Sequence, residues 1–583
     1  MTIFNVFSLL GGLAFFLYGM RLLSESLEQR AGNKLQPILE SLTSSKFKGV
    51  LMGVGVTAVV QSSSATTVML VGFVNSGIMQ LHQAISVIFG ANVGTTITSW
   101  ILSLSGIESD NFWVSLLKPS TFAPIMAFVG IIIYFVSKRK KDVALIFVGF
   151  SILMAGMDIM SDSVKGLADV PEFVSLLTIF SNPLLGVLAG AVLTGIIQSS
   201  TASIGILQAL ANTGTITYSA AIPIIMGQNI GTCITAIISS IGSNKNAKRV
   251  AIAHLYFNVI GTVMFLAVYY IARGFIAEAV INAPIGAFAI AVFHSIFNIA
   301  CTVILFPFIG LLEKLATKTI RNGGKDDKKE FVMDERLLAT PSIAIEHSRK
   351  MVGDMATLSK TALMKSLDLL KNYNDKEAEK VIDMEEQADS YEDKLGSYLV
   401  KISARNLSEQ ESQETSKMLY SIGDFERISD HARNIVECAQ EKSDKNIEFP
   451  EEVQKEIDIL GSAAIKIIDF TVTCFINNDA VLAAEVEPLE QAVDTIKAEI
   501  RRRHIKRLSR GVGTIEMGFI LSDLLTNFER IADHCSNIAV NVIEVGHFGE
   551  FNTHEYLRDI KRGHFGEVFS ERYNEYLAEY ELN

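Results

Sequence analysis

Apolar residues fill the first half of the chain in long blocks, whereas the second half mixes apolar and charged positions at helical spacing. Residues 49–107, 173–244 and 279–312 contain no Asp, Glu, Lys or Arg. These runs exceed the roughly 20 residues that a helix needs to cross a bilayer. The first half is therefore predicted to be a membrane domain.

Nine apolar segments subdivide this half. Seven of them predict full crossings: 3–22, 82–104, 121–137, 141–160, 217–241, 249–272 and 285–311. The other two, 47–76 and 183–213, are interrupted midway by the polar clusters 61–64 and 198–201. Because arms of about 13 residues rise only roughly 20 Å, each reaches partway through the hydrocarbon. Both segments are predicted to be re-entrant helical hairpins.

The loop charges predict the orientation, because short cytoplasmic loops collect Lys and Arg. The basic loops 138–141 and 245–249 are placed inside, and the acidic loops 108–110 and 158–172 outside. Seven crossings and two hairpins place every basic loop inside and every acidic loop outside. The prediction is a multi-pass protein of the cell membrane with its N-terminus outside and its charged C-terminal half in the cytoplasm.

The membrane half contains an internal repeat. A shift of 137 positions aligns two copies without a gap, and 19 of 49 pairs are identical between residues 53–101 and 190–238. Three crossings precede the second copy, so the copies, about 5–137 and 141–275, should enter the membrane from opposite sides. Inverted repeats of this kind build alternating-access transporters, whose site lies between the copies.

Identity between the copies concentrates on polar groups, which are costly in lipid. The pairs are Thr57/Thr194, Gln61/Gln198, Ser62/Ser199, Ser63/Ser200, Asn92/Asn229, Thr95/Thr232 and Thr98/Thr235. A helix N-terminus at a hairpin tip suits an oxyanion, and hydroxyl and amide oxygens suit Na⁺. With no Lys or Arg in these runs, co-bound cations would offset the anion's charge and couple the two. Close packing is the alternative, favoured for scattered residues such as Ser203 and Ser239.

The paired Gln-Ser-Ser-Ser/Thr tips, each followed by Gly-x-Asn-x-Gly-Thr, resemble the bacterial type II sodium/phosphate cotransporter family over about residues 5–310. By that resemblance, Gln61, Ser62, Ser63, Gln198, Ser199 and Ser200 would line the phosphate and Na⁺ sites. Candidate additional ligands are Thr57, Ser64, Asn92, Thr95, Thr194, Thr201, Asn229 and Thr232. Some members of that family use a membrane Asp for a further Na⁺, and residues 49–107 and 173–244 contain no carboxylate.

Charge separates the two halves. Residues 1–310 carry 15 basic and 11 acidic side chains, and residues 311–583 carry 36 and 52, for a net charge of −12. The uncharged half excludes a soluble enzyme, a secreted disulfide scaffold and a disordered chain, and the acidic half argues against nucleic acid. The five cysteines form no C-x-x-C pair and are predicted to be small apolar fillers.

After a predicted linker at 313–335, the pattern predicts long helices up to residue 546 and an unassigned tail at 547–583. The six helical segments are 339–372, 376–403, 408–440, 452–478, 481–510 and 514–546. Segments three and six share Phe-Glu-Arg-Ile-x-Asp-His at 425–431 and 528–534, and segments two and five share related motifs at 385–389 and 490–494. The interpretation is two homologous three-helix bundles in a domain of residues 336–546.

The shared motifs place carboxylates four residues apart on one helix face. The pairs are Glu385/Asp389, Glu426/Asp430, Glu490/Asp494 and Glu529/Asp533. Oxygen-only clusters favour divalent Mg, Mn, Ca or Fe. The alternative is a solvated acidic face neutralised by Arg427, Arg433 and Arg530, and His431 and His534 are weaker ligand candidates.

The second half resembles the PhoU-type regulators of phosphate transport, tandem three-helix bundles with acidic metal-binding motifs. The resulting hypothesis is an all-α, sodium-coupled symporter of inorganic phosphate with a cytoplasmic regulatory module, with uptake as the default direction. The alternative is a membrane-anchored phosphate sensor without net transport. A hydrolase is disfavoured because no nucleophile–base arrangement is recognisable. Whether the chain forms a homo-oligomer stays open.

Overall fold

The computed structural model describes residues 3–42, 45–106, 119–137, 140–165, 179–321, 333–405, 407–546 and 567–582. Its secondary structure there is helical, apart from one isolated bridge between Thr217 and Pro284. Two compact units divide the chain, Met1–Thr340 and Pro341–Asn583. Some of the charged loop residues used to predict the topology lie outside the described residues. They are Glu108, Asp110, Lys138, Arg139, Asp169 and Glu172.

Long apolar helices make up the first unit. They are α1 (Ile3–Leu42), α2 (Lys46–Val60), α3 (Ser63–Asn75), α4 (Leu81–Ser103), α5 (Pro119–Val136), α6 (Lys141–Lys165), α7 (Pro183–Ile197), α8 (Ser200–Ala211), α9 (Tyr218–Ser239), α10 (Lys245–Arg273), α11 (Glu278–Ile281), α12 (Ala287–Leu305) and α13 (Ile309–Thr319). The sequence repeat recurs as structure: α2, α3 and α4 begin 137 positions before α7, α8 and α9. The opposite membrane orientation of the two copies stays a prediction.

Seven described helices are long and apolar enough to cross a membrane. Six lie in the first unit, within α1, α4, α6, α9, α10 and α12–α13. The seventh, Glu451–Asn477, lies in the second unit, where its apolar residues pack inside a helical bundle. The predicted crossing 121–137 instead corresponds to a shorter apolar helix, Thr121–Val136. These helices make the chain a multi-pass membrane protein.

Glycines bring α2 against α4, and α7 against α9, in matching ways. A Cβ at Gly53 would lie 2.0 Å from the Val87 carbonyl oxygen, and one at Gly90 would lie 1.9 Å from the Val50 carbonyl oxygen. The equivalent distances in the second copy are 2.1 Å at Gly190 and 1.9 Å at Gly227. Such close backbone contact between membrane helices requires residues without a side chain.

The predicted linker, 313–335, begins inside α13, which packs with the first unit. Leu312 and Ala316 are buried there, and the Arg249 guanidinium donates to the Ile320 carbonyl at 3.1 and 2.8 Å. The apolar stripe of α13 explains why this stretch is helical rather than extended. Residues 322–332, in the middle of the predicted linker, lie outside the described residues.

The second unit consists of two three-helix bundles and a C-terminal helix. Its helices are α14 (Pro341–Lys371), α15 (Asp375–Ser403), α16 (Glu409–Asp444), α17 (Glu451–Asn477), α18 (Ala480–Ala483), α19 (Val486–Ser509), α20 (Ile515–Gly546) and α21 (Glu567–Glu579). Helices α14–α16 pack together, as do α17, α19 and α20, and α16 contacts α20 between the bundles. The α21 helix, in the previously unassigned tail, packs on α19 and buries Tyr576.

Candidate functional site

The helix pair α2–α3 is broken at the first predicted tip. Gln61 has φ 57° and ψ 20°, in the left-handed region, and its N–H donates to the Thr57 carbonyl at 2.8 Å. Ser62 is extended, and its hydroxyl accepts from the Ala65 N–H at 3.1 Å. The left-handed residue ends α2 and the serine caps α3. A non-glycine residue in this conformation carries strain of about 1–2 kcal/mol, which is typical of functional sites.

The second tip repeats this geometry. Gln198 has φ 59° and ψ 21°, and its N–H donates to the Thr194 carbonyl at 2.7 Å. Ser199 is extended and accepts from the Ala202 N–H at 3.2 Å. Ser200 and Thr201, at the start of α8, are buried, as is Ser63 at the start of α3.

Each break exposes two kinds of backbone group side by side. The first N–H groups of α3 and α8 lack acceptors within their helices and lie at the positive end of the helix dipole. At the end of α2 the Thr57 carbonyl accepts from the Gln61 N–H and the Ala58 carbonyl from Gln61 Nε2, and at the end of α7 the Thr194 carbonyl accepts from the Gln198 N–H. The carbonyls that follow them have no donor within their own helix and lie at its negative end. One tip therefore offers donors for an oxyanion next to oxygen ligands for a cation.

The Gly-x-Asn-x-Gly-Thr motifs lie on α4 and α9, beside these breaks. A Cβ at Gly94 would lie 2.8 Å from the Thr57 Cβ, and one at Gly231 would lie 2.7 Å from the Thr194 Cβ. The glycines thus bring each threonine against the long helix of its own copy. This close contact supports the packing interpretation for the glycines of the motif.

Those polar members mostly bond within their own helix. Asn92 and Asn229 donate to carbonyls four residues earlier, at 3.1 and 2.8 Å, and Thr95 and Thr232 do so at 3.0 Å. The Asn92 Oδ1 also lies 3.3 Å from His254 Nε2 on α10. These hydrogen bonds therefore fix the polar side chains of the motif on α4 and α9, next to the tips.

The two tips differ in their side chains. Gln61 is 6% exposed, and its Oε1 accepts from Thr98 Oγ1 at 2.6 Å, whereas Gln198 is exposed. Thr57 Oγ1 donates to Thr66 at 3.2 Å, whereas the equivalent hydroxyl, Thr194 Oγ1, is buried and has no hydrogen-bond partner among the residues that the structure describes. The two tips therefore have the same Gln-Ser-Ser sequence but differ in side-chain exposure and hydrogen bonding.

The second arm of each broken pair packs on the long helix of the other copy: α3 on α9, and α8 on α4. Thr235 Oγ1 on α9 donates to Ser64 Oγ at the first tip, at 3.4 Å. Gln208 Nε2 on α8 donates to the Ser99 carbonyl on α4 at 3.0 Å. Ser64 is therefore brought to the interface between the two copies, where α3 and α8 pack on the long helix of the other copy.

Sequence reasoning missed two buried amides near this interface. Gln208 and Gln228 are fully buried, and Gln228 Nε2 donates to Ser203 Oγ at 2.9 Å. Within the described part of the chain, neither Oε1 atom has a hydrogen-bond partner. They escaped the repeat comparison because their counterparts in the first copy are Val71 and Ala91. Glutamine inside a charge-free membrane segment was the signal that could have found them.

The predicted carboxylates of the second unit form one cluster in each bundle. Glu385 and Asp389 on α15 neighbour Glu426 and Asp430 on α16, and Glu490 and Asp494 on α19 neighbour Glu529 and Asp533 on α20. Burial and then the charge of Asp430 raise the pKa of Glu426 to about 7. Burial and then the charges of Glu487 and Asp494 raise the pKa of Glu490 to about 8. Glu487 was missed because Ile382 occupies its place in the first bundle.

Basic side chains contact these carboxylates. The pairs are Arg433–Glu385 at 3.1 Å, Arg427–Asp430 and Arg530–Asp533 at 3.3 Å, and Lys497–Glu529. Across the described residues, no three His, Cys, Asp or Glu side chains converge closely enough to hold a metal ion. The prediction of divalent Mg, Mn, Ca or Fe therefore has no support in this conformation, because basic groups neutralise the acidic face instead.

His431 and His534, the weaker ligand candidates, stack at 5.7 Å between ring centroids where the bundles meet. The His431 Nδ1 lies 2.9 Å from Asn527 Oδ1, and the His534 Nδ1 lies 2.8 Å from Asp424 Oδ1. These contacts join α16 to α20. The geometry assigns the histidines to the bundle junction rather than to the acidic clusters.

Comparison with known families matches both units. The Na⁺/Pi-cotransporter family model matches twice, at residues 15–162 and 152–295, and the PhoU domain model matches at 352–439 and 457–542. The double matches reflect the internal repeat of the first unit and the paired bundles of the second. The chain belongs to the Na⁺/Pi-cotransporter family, which is a family of transporters and not of enzymes, and it carries PhoU domains.

Three relatives illustrate the match. YjbB of Salmonella typhimurium, named for inorganic phosphate export, is 23% identical over 92% of this chain and 97% of its own. The uncharacterised protein YqeW of Bacillus subtilis is 32% identical over 52% of this chain and 94% of its own. The human sodium-dependent phosphate transport protein 2B is 36% identical over 20% of this chain and 18% of its own.

Proposed function

We propose that this protein is a sodium-coupled symporter of inorganic phosphate whose C-terminal PhoU-like unit regulates transport. One observation carries the proposal: the Gln-Ser-Ser break occurs twice with the same backbone geometry, in copies that contact each other through their second arms. A packing role does not account for duplicated polar breaks inside apolar helices, since alanine and glycine would pack there without burying hydroxyls.

Phosphate would bind at the N-termini of α3 and α8. Main-chain N–H groups and the hydroxyls of Ser63, Ser64, Ser200 and Thr201 would donate to its oxygens. No Lys or Arg in the charge-free segments 49–107 and 173–244 can neutralise the anion. Its charge must therefore be balanced by cations that enter with it, which makes coupling a requirement of the site.

Na⁺ would bind to oxygens beside the anion. The last carbonyls of α2 and α7 supply such ligands, and the unpartnered Gln228 Oε1 and Thr194 Oγ1 are further candidates in the second copy. The family description and the sodium-dependent human relative support sodium as the cation. The roles of Asn92, Thr95, Asn229 and Thr232 as additional ligands belong to this proposal.

We place the broken pairs in the membrane as re-entrant hairpins. Helices α2 and α7 have 15 residues each, a rise of roughly 22 Å, which is short of the about 30 Å hydrocarbon thickness. The N-terminus would then lie outside the cell membrane, and the second unit in the cytoplasm. Cysteines introduced at exposed Asn446 and labelled in intact and permeabilised cells test this; labelling in intact cells would refute it.

The direction of net flux in the cell follows the combined gradients of the two solutes. A symporter carries both in the same direction and reverses when the driving force reverses. YjbB is named for phosphate export, whereas uptake was the default expectation from sequence. Vesicles loaded on either side with Na⁺ and phosphate test both directions in one preparation.

The site assignment is tested by removing paired hydroxyls. The double variant Ser63→Ala, Ser200→Ala should lose at least about tenfold of sodium-dependent phosphate flux, because buried hydrogen-bonding groups are worth about 1–3 kcal/mol. The matched control is Ser103→Ala, Ser240→Ala: these serines are also repeat equivalents, and each donates to its own helix, at 2.7 and 2.8 Å. Equal flux in both double variants would remove the tips from the site.

A second role concerns the acidic clusters. Burial, and after it the charges of neighbouring carboxylates, raise the pKa values of Glu426 and Glu490, so each cluster holds partly buried carboxylates close to one another. This supports the proposal that a divalent cation binds there once the basic side chains rotate away. Adding Mg²⁺, Mn²⁺, Ca²⁺ or Fe²⁺ should then raise the unfolding temperature of the second unit in wild type but not in Glu426→Gln, Glu490→Gln. If none of these cations raises the unfolding temperature of the wild-type protein, the proposal is wrong.

The rival function is a membrane-anchored phosphate sensor, in which the tips bind phosphate and the second unit reports occupancy. The duplication of the tips across the interface favours transport, because a sensor needs only one site. Equilibrium phosphate binding without flux under any sodium gradient would favour the sensor instead.

A further inference from the structure

A short segment that ends directly before the second unit is docked on the first copy of the repeat. It comprises residues 334–340, here called the strap, and contains a 3₁₀ turn at Glu335–Ala339. Leu337 and Leu338 are 1% and 5% exposed, and Thr340 Oγ1 lies 3.8 Å from Met69 Sδ on α3. The strap is therefore part of the first unit's packed interior.

The strap is fixed to the end of α3 opposite the tip. Asn75, the last residue of α3, donates from Nδ2 to Asp334 Oδ2 at 2.8 Å. Its Oδ1 accepts from the Asn244 N–H at 2.8 Å, and its carbonyl accepts from Asn244 Nδ2 at 2.9 Å. Asn244 caps α10, so one asparagine joins the strap, α3 and α10.

Arg336 extends the connection to the second copy. Its Nε and Nη2 each lie 2.7 Å from an oxygen of Asp334, whose side chain is 2% exposed. Its Nη1 donates to the carbonyl of Ser239, the last residue of α9. The partly exposed guanidinium compensates the buried carboxylate, and removing Arg336 would leave an uncompensated buried charge on Asp334. The strap thus spans both copies.

The strap contact distinguishes the first copy from the second. Asn75 has an equivalent in Asn212, whose Nδ2 contacts Ser105 Oγ at 3.4 Å instead. Gly72, one turn before Asn75, would bring a Cβ within 3.0 Å of Leu337 Cδ2, and its equivalent is Ala209. The first copy therefore has a glycine where Leu337 packs, and the second does not.

We propose that the ends of α3 and α9 form a docking surface for the strap, through which the PhoU-like unit controls movement of the α3 arm. The docked strap holds α3 against α9, and its release frees the arm whose other end, roughly 18 Å away, carries Ser63 and Ser64. The second unit begins at Pro341, so a rearrangement of α14 acts on the strap through the chain itself. This consequence for transport rests on the proposed function.

Two measurements on the full-length protein separate the docking from its consequence. In Asn75→Ala, Arg336→Ala, amide exchange of residues 63–76 should rise at least about tenfold, because the partly buried hydrogen bonds and the ion pair that hold the strap on α3 are lost. Exchange of residues 200–212 should not change. The matched control is Asn212→Ala, which removes the equivalent side chain where no strap docks. Unchanged exchange at 63–76 would overturn the docking proposal.

The same variants, reconstituted in liposomes, test control of the arm. Sodium-dependent phosphate flux should rise at least about twofold when the strap is released, since the arm then moves with less restraint. Asn75→Cys with Asp334→Cys, joined by a short bis-methanethiosulfonate cross-linker, should lower flux until a reductant cleaves the two disulfides. If exchange rises but neither variant changes flux, the strap is an anchor only. If wild-type protein shows no flux, the proposed function fails while the exchange result still decides the docking.

Discussion

Gln61 shows how one residue can combine a backbone role with a side-chain role. Its left-handed conformation ends α2, and its side chain accepts from Thr98 across to α4. Gly adopts this backbone freely, whereas a β-branched residue does so at a cost of about 1–2 kcal/mol. Gln61→Gly separates the two roles, since it keeps the turn and removes the amide.

We therefore expect Gln61→Gly to keep or raise its unfolding temperature, because glycine relieves the backbone strain, and to lose at least about tenfold in phosphate flux. Gln61→Val keeps that strain, loses the amide hydrogen bonds and should unfold at a lower temperature. Thermal unfolding in detergent and liposome flux measure the two effects. Asn446→Gly, at another left-handed position that is exposed in the second unit, is the control and should change neither quantity. Full flux in Gln61→Gly would remove this side chain from the site.

Glu490 gives the second unit a pH-dependent stability. Burial and nearby carboxylates raise its pKa to about 8 in the folded protein, above the 4.5 of the unfolded chain. The folded state then binds the proton more tightly, so the stabilisation is complete below pH 4.5 and is lost as the pH rises towards 8. Glu490→Gln removes this titration.

Calorimetry of the full chain should show Glu490→Gln gaining unfolding temperature relative to wild type as the pH rises from about 4.5 to 8, and holding that gain above pH 8. The exposed Glu409→Gln serves as control and should differ from wild type by a small amount that does not grow over this range. A pH-independent difference for Glu490→Gln would contradict the buried acidic cluster.

Among the helices, α2 contains two glycines whose replacement by alanine should have opposite effects on stability. A Cβ at Gly53 would collide with the Val87 carbonyl oxygen at 2.0 Å, whereas a Cβ at Gly55 would meet no atom within 4 Å. Gly53→Ala should therefore separate α2 from α4, and Gly55→Ala should be neutral or stabilise the helix by up to about 1 kcal/mol.

Size-exclusion profiles and unfolding temperatures of the two variants check this prediction. Gly53→Ala should lower both the folded yield and the unfolding temperature, and Gly55→Ala should preserve them. Similar behaviour of the two variants would contradict the close packing of α2 on α4.

Much of the element pattern was predictable, because local sequence determines it. The breaks at Gln61 and Gln198, the six helices of the second unit and the all-helical class follow from polar interruptions and helical periodicity. The strap was not predictable, since Asp334 and Asn75 are far apart in sequence and show no shared periodicity. Hydropathy alone would group α17 with the membrane helices, because burial in a bundle and in lipid select the same residues; its place among charged helical segments assigned it to the second unit.

The candidate site was predictable to the extent that it is duplicated. Paired residues such as Ser63 and Ser200 are visible in one sequence because the copies can be compared. Gln208, Gln228 and Glu487 have apolar counterparts and became visible only in three dimensions. The basic neighbours of the acidic clusters, such as Lys497, also required the structure, because their pairing is set by facing helices.

In the whole molecule, we propose that the first unit transports phosphate and the second unit regulates transport. The first unit carries the duplicated Gln-Ser-Ser breaks at which we propose that phosphate binds, and the second carries acidic clusters in paired bundles. The strap is the last part of the first unit before the chain enters the second. Transport and its regulation would therefore meet at residues 334–340.

Phosphate flux into sealed liposomes, measured with and without a sodium gradient, decides whether this protein couples phosphate transport to Na⁺. Purified full-length protein should accumulate labelled phosphate when Na⁺ is imposed as a gradient in the same direction, and should not do so when K⁺ replaces Na⁺. Dissipating the sodium gradient should release the accumulated phosphate. Phosphate binding without flux, or flux that is equal in Na⁺ and K⁺, would contradict a sodium-coupled symporter.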